Sequence, residues 1–162
     1  GRCLEVVGRK AAGAEEPAMK IDDRVEGLAR DALDAAVKRD SAAFEAALRA
    51  FPNDEAVRDG VSLVLAVAAY IMTEIHGGRP NDAQVRAVAE KVASMEAWAG
   101  PTGDEVHGLL SRLLNSEPQS APGEHVIVLA FVVTASLLAS LHLKDEKWWN
   151  YLDRVEAAIE RE

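Results

Sequence analysis

The stretch VIVLAFVVTASLLASLHL, residues 126–143, is the most apolar run of the chain, with eighteen positions and no formal charge when its histidine is neutral. Residues 61–76, VSLVLAVAAYIMTEIH, form a weaker version of the same pattern. Apolar runs of this length exceed ordinary strands and are typical of buried helices. We therefore expect two long apolar helices at the centre of the fold.

The run at 126–143 also reaches the lower limit of a membrane-spanning length. Alanine, serine and threonine dilute its hydrophobicity, and no basic residue precedes it closely. The second apolar run offers a protein surface on which to bury it. We expect a buried central helix and no stable membrane association. Conditional insertion of a hairpin made of the two runs remains an alternative.

Composition and charge restrict the class of protein. The chain has 162 residues, a net charge of −9 and 49% hydrophobic residues, which is typical of one globular domain. An acidic surface without a Lys/Arg stripe repels a phosphate backbone, so we predict no nucleic-acid partner. Cys3 is the only cysteine, which excludes an internal disulfide and fits the cytoplasmic location that we predict.

The segments outside the two runs read as amphipathic helices. Helix start signals occur at Asn81 with Gln84 and at Thr102 with Glu105, and Gly/Pro breaks separate the periodic segments. We predict an all-α fold: a single bundle of about seven helices spanning residues 21–162. Residues 1–20 do not continue the pattern, and we expect them to be a flexible or non-native extension.

The order of helices suggests a duplicated three-helix unit. Residues 41–99 and 103–161 each contain a short amphipathic helix, a long apolar helix and another amphipathic helix. Coincidence is the alternative, because helical periodicity alone makes such alignments easy. On the two apolar helices, a stripe of small residues from Ser62 to Thr73 and its counterpart around Ala135 are the expected contact.

Three polar residues are candidates for lining a ligand pocket. His76 and His142 end the two apolar runs at matching positions, and Glu74 is the only acid between Asp59 and Asp82. Helix-end histidines also bind free carbonyls, and a Glu near a glycine turn is also expected in solvent. The pocket interpretation therefore competes with an ordinary structural role for each residue.

The cluster WWNY at 148–151 supplies candidates for contact with a partner. Trp149 falls on the polar side of the last helix, while Tyr151 flanks its inward stripe, and an exposed Trp is a common partner anchor. Packing of the ring over a neighbouring helix is the alternative. Either residue could contact another protein or a second copy of this chain in a homodimer.

No sequence motif supports catalysis. The P-loop, GxGxxG, GxSxG, HExxH and paired Cys/His spacings are absent, so we predict no catalytic residue, no cofactor and no metal site. The leading interpretation is a non-enzymatic, cytoplasmic interaction or regulatory protein. The alternatives are a small-molecule-binding or enzymatic domain with a pocket between the apolar helices, and conditional membrane association.

Overall fold

The computed structural model describes residues 20–119, 123–140 and 146–161, so nearly all of the predicted extension at 1–20 lies outside it. Within those ranges the chain forms seven α-helices and no strand, which confirms the all-α prediction and its helix number. The helices are α1 (Asp23–Val37), α2 (Ser41–Arg49), α3 (Asp54–His76), α4 (Asp82–Met95), α5 (Gly103–Leu114), α6 (Glu124–Ser140) and α7 (Trp148–Arg161).

Local hydrogen bonds set several helix boundaries. Asn81 and Gln84 form a reciprocal capping box at the start of α4, with both bonds below 3 Å. Thr102 and Glu105 form the same motif at the start of α5. At the end of α3, Gly77 takes a left-handed conformation with φ of 68°, which suits glycine. These boundaries follow from short sequence motifs alone.

Helix α6 is the most deeply buried element. Its ten consecutive residues from Leu129 to Leu138 are all buried, and it packs against α1, α3, α4, α5 and α7. A helix that is apolar on every side has no face for solvent, so it must lie inside the fold. The structure describes it as far as Ser140, and residues 141–145, which hold the rest of the predicted run, lie outside the described residues.

Helix α3 has 23 residues and is long and apolar enough to cross a membrane by length and composition, with 44% of its most apolar window buried. It is the only such helix in the ranges described, because α6 has 17 residues. Two long apolar helices were expected, and one is found. The two still pack together: Thr134 on α6 donates a hydrogen bond to the backbone carbonyl of Val64 on α3 over 3.0 Å.

The face of α3 that is buried differs from the predicted one. Ser62 and Thr73, on the expected stripe of small residues, are exposed. Five other positions of this helix are instead 0% exposed: Val64, Val67, Ala68, Ile71 and Met72. The predicted contact stripe was therefore wrong for α3. The helix is apolar nearly all round after its second turn, so its periodicity does not select one face.

Glycine 60 lies where α3 meets two phenylalanine rings. A Cβ atom at this position would approach Cε2 of Phe51 to 2.8 Å and Cζ of Phe131 to 3.7 Å. We expect Gly60→Ala to lower the free energy of unfolding by about 1 kcal/mol, because overpacking outweighs the gain in helix propensity. Urea unfolding followed by circular dichroism measures the change.

Gly27 in α1 provides the matched control, because a Cβ atom there meets nothing within 4 Å. We expect Gly27→Ala to stabilise the protein by about 0.5–1 kcal/mol through helix propensity alone. Equal effects of the two substitutions would contradict the close packing at Gly60.

Candidate functional site

The largest cavity among those described is a groove of about 730 Å³ between α2, the turn after α4 and the start of α6. The chain contains eight aromatic residues, and four of them line it: Phe44, Phe51, Trp98 and Phe131. We call it the aromatic groove. Phe44 and Trp98 meet edge to face at 5.7 Å, and Phe51 and Phe131 do so at 6.1 Å. These pairs fix the ring positions.

A buried carboxylate holds Trp98 in place. Glu96 is 3% exposed, and its carboxylate accepts a hydrogen bond from the indole N–H of Trp98 over 2.8 Å. The other oxygen accepts from the Arg39 guanidinium over 3.1 Å. Arg39 itself has a left-handed backbone, with φ of 56°. The contact ties the turn after α1 to the turn after α4 and so positions one wall of the groove.

Charged side chains surround the mouth of the aromatic groove. Glu45 and Arg49 on α2 form an exposed pair at 3.8 Å, and Glu124 and His125 lie opposite at the start of α6. His125 contacts the Glu105 carboxylate at 2.5 Å. Hydrogen bonds lower the pKa of Glu105: the larger effect comes from the Thr102 backbone N–H and the smaller one from His125. Among the described residues that line the rim, the two carboxylates Glu45 and Glu124 outnumber the one permanent cation, Arg49.

The three pocket candidates from the sequence do not form one site in the described residues. Glu74 faces α7, where it accepts hydrogen bonds from the Tyr151 hydroxyl at 3.1 Å and from Arg154 at 3.0 Å. His76 faces another cavity, of about 240 Å³, between α3, α4 and α6. His142 falls in the segment 141–145, outside the described residues.

The two candidates for partner contact also separate. Trp149 is 46% exposed and meets Trp148 edge to face at 5.9 Å. Tyr151 is 1% exposed, so it lies inside the fold, which corrects its assignment to a partner surface. Burial and the hydrogen bond to Glu74 raise the pKa of Tyr151, and the Arg154 guanidinium stacks on its ring at 4.7 Å.

Sequence reasoning did not find Glu96 or the aromatic groove. The sequence places Phe44 and Phe51 on one face of a short helix and Phe131 within the apolar run, and no local pattern joins Trp98 to them. The signal in the sequence is weak: a glutamate two residues before a tryptophan at a helix end. Its partner Arg39 lies 57 residues earlier, so only the tertiary structure joins the three side chains.

Neither the described residues nor comparison with known proteins identifies a catalytic site or a metal site. Among the residues that the structure covers, no group of three His, Cys, Asp or Glu side chains is placed to hold a metal ion. No protein-family model matches the chain, and comparison with curated proteins and with solved structures finds no match. The absence of an enzymatic role therefore stays a prediction.

Proposed function

We propose that this chain is a non-enzymatic interaction protein of regulatory type that binds an amphipathic helix of a partner protein in the aromatic groove. The observation that carries the proposal is the collection of four aromatic side chains around one open groove in a chain with few aromatic residues. Aromatic residues are enriched at binding hot spots, and grooves of this kind commonly accept the apolar face of a helix.

Preorganisation supports a binding role. Phe44, Phe51 and Phe131 are at most 8% exposed and form the floor, while Leu48 and Trp98 are half-buried and form the walls. Glu96 and the ring pairs already hold these side chains in place. Binding of a partner therefore costs little additional side-chain entropy in the groove. The half-buried wall residues retain apolar surface that a partner would cover.

Charge supports a basic partner. The chain carries a net charge of −9, and among the described rim residues Glu45 and Glu124 are accompanied by Arg49 as the one strong cation. A helix with apolar residues on one face and lysine or arginine on the other would match both surfaces. Its association would be faster at low salt, because long-range attraction is screened by ions.

The test uses a synthetic helical peptide with Leu and Phe on one face and Lys on the other, and a control peptide carrying Glu in place of Lys. We expect the basic peptide to shift the amide resonances of the groove residues and to bind at least tenfold more tightly than the acidic one, since a tenfold ratio is about 1.4 kcal/mol. Leu48→Glu should weaken the basic peptide at least tenfold while circular dichroism stays unchanged.

Trp149→Ala is the matched control for the groove variant, since Trp149 is exposed on a different helix. We expect it to leave peptide binding unchanged. Loss of binding in Trp149→Ala with retention in Leu48→Glu would move the interaction surface to α7 and overturn the groove proposal. Conditional membrane association predicts instead that the protein sediments with liposomes.

We also propose that α3 and α6 together organise the fold and that residues 41–99 and 103–161 descend from one three-helix unit. The packing of α6 on α3 and the Thr134–Val64 hydrogen bond support the first point. The matching order of short, apolar and amphipathic helices supports the second. The cytoplasmic location belongs to the same proposal and rests on the single cysteine.

A further inference from the structure

A second cavity, distinct from the aromatic groove, contains a buried hydroxyl that has no hydrogen-bond partner among the described residues. The cavity encloses about 240 Å³ between the end of α3, one face of α4 and the last turns of α6. Ser136 lines it, is 3% exposed, and its Oγ atom has no partner in the part of the chain that the structure describes. We call this cavity the Ser136 pocket.

The unpaired hydroxyl is unusual for its surroundings. A serine inside a helix commonly donates to the carbonyl four residues earlier, and Ser140 on the next turn does so to Ser136. Thr134, two residues before, donates to the carbonyl of Val64. Buried polar groups nearly always find a partner, because an unmade hydrogen bond costs more than a made one contributes. Within the described part of the chain, the Ser136 hydroxyl is therefore left with a donor and an acceptor available at a cavity wall.

The remaining walls define the kind of molecule that fits. Val92 and Leu137 are buried, and Val88 and Met95 are half-buried, so the body of an occupant meets aliphatic and thioether surface. Lys91 stands exposed at the rim. No cation is buried at the floor among the described residues, so a charged group next to Ser136 would be desolvated without compensation.

His76 is a second polar residue in the lining of the pocket. Its Nδ1 atom lies 2.7 Å from the Met72 carbonyl, so Nδ1 carries the proton and donates it. In the neutral ring, Nε2 is then the acceptor. A ligand hydroxyl is able to donate to a nitrogen of this kind while accepting from a serine hydroxyl. A carbonyl or a carboxylate offers only acceptors.

We infer that the Ser136 pocket binds a small, mainly apolar alcohol, with its hydroxyl directed to Ser136. The volume is below the roughly 300–1,000 Å³ of pockets for drug-sized ligands, which limits the occupant to a small molecule. The inference does not depend on the proposed partner of the aromatic groove, because the two cavities share no lining residue.

The probes are benzyl alcohol, toluene and benzoate, which share one ring and differ in the polar group. Methyl resonances of Met95, Val88 and Leu137 report binding in a titration of the intact chain by nuclear magnetic resonance. We expect benzyl alcohol to bind more tightly than toluene, and benzoate to bind least. Ser136→Ala should weaken benzyl alcohol about tenfold and leave toluene unchanged.

Thermal unfolding without ligand gives an independent measurement. If the hydroxyl has no partner, Ser136→Ala should leave the Tm unchanged or raise it, because a buried unpaired polar group is removed. Ser62→Ala, at an exposed serine of α3, is the control and should change neither the Tm nor the binding. Equal binding of benzyl alcohol and toluene, or a Tm lowered by several degrees in Ser136→Ala, would overturn the inference and indicate a hydroxyl satisfied by water.

Discussion

Replacing Glu96 with Ala is expected to lower the free energy of unfolding by about 3 kcal/mol, because two partners lose a buried carboxylate. Glu96 is 3% exposed and accepts from both the Trp98 indole and the Arg39 guanidinium. Hydrogen bonds to a charged group contribute roughly 1.5–3 kcal/mol each, and the Glu96 carboxylate accepts two. Arg39 is about half exposed and regains water, so the cost should fall at the lower end.

The amide variant separates hydrogen bonding from charge. Glu96→Gln keeps an oxygen that accepts from Trp98 and loses the ion pair with Arg39, so we expect a loss of about 1 kcal/mol. Glu90→Ala on the preceding helix α4 is the control, since the Glu90 side chain is 60% exposed and its ion pair with Arg86 spans 3.8 Å. That variant should change stability by less than about 0.5 kcal/mol. Urea unfolding of the three variants decides the ranking.

The same series links stability to the proposed binding site. Glu96→Gln should retain the position of Trp98 and bind the basic peptide as the unchanged protein does. Glu96→Ala should bind more weakly, because a free indole no longer meets Phe44 edge to face. A stable Glu96→Ala protein that binds the peptide normally would show that the position of Trp98 does not matter for the groove.

Helix boundaries were predictable because their causes are local. The Thr102–Glu105 box needs four consecutive residues, and Gly77 ends α3 through its own backbone freedom. Amphipathic segments such as α5 also show their buried face in the sequence, since Val106, Leu109 and Leu110 recur at helical spacing. The all-α fold with seven helices follows from such signals.

Contacts between distant segments were not predictable because no local pattern encodes them. Glu74 and Tyr151 are predicted for different sites because 77 residues separate them in the sequence. In the fold, the Tyr151 hydroxyl lies 3.1 Å from the Glu74 carboxylate. Helix α3 is apolar on most sides, so its orientation depends on neighbours rather than on periodicity. The buried state of Glu96 likewise depends on Arg39, whose position is set by the turn after α1.

A polar contact between α1 and α7 is another long-range contact that no local pattern encodes. It makes the stability of the protein depend on pH. Glu156 belongs to the side of α7 that the sequence marks as polar, yet its side chain is only 12% exposed. Arg30 of α1 contacts it at 3.3 Å and also binds Glu26 at 2.6 Å and Asp153 at 2.7 Å. The pKa of Glu156 is raised from 4.5 to about 8, mainly by burial and secondly by a hydrogen bond to the Glu26 carboxyl.

This raised pKa predicts that the protein loses stability as the pH rises from about 4.5 to about 8. In that interval the folded chain keeps a proton on Glu156 that the unfolded chain has released. The folded state therefore binds more protons, and the free energy of unfolding falls with pH. We expect a decrease of about 2 kcal/mol from this group, which is less than the full shift implies because solvent around the partly exposed Arg30 and the exposed Asp153 screens these interactions.

Glu156→Gln isolates the effect, because the amide preserves the shape and does not ionise. We expect equal stability of variant and unchanged protein near pH 5 and an advantage of about 2 kcal/mol for the variant near pH 8. Glu160→Gln, at an exposed acid of the same helix, is the control and should leave the pH profile parallel to that of the unchanged protein. Parallel profiles for Glu156→Gln as well would show that Arg30 holds Glu156 ionised throughout, and that the contact between α1 and α7 is an ordinary ion pair.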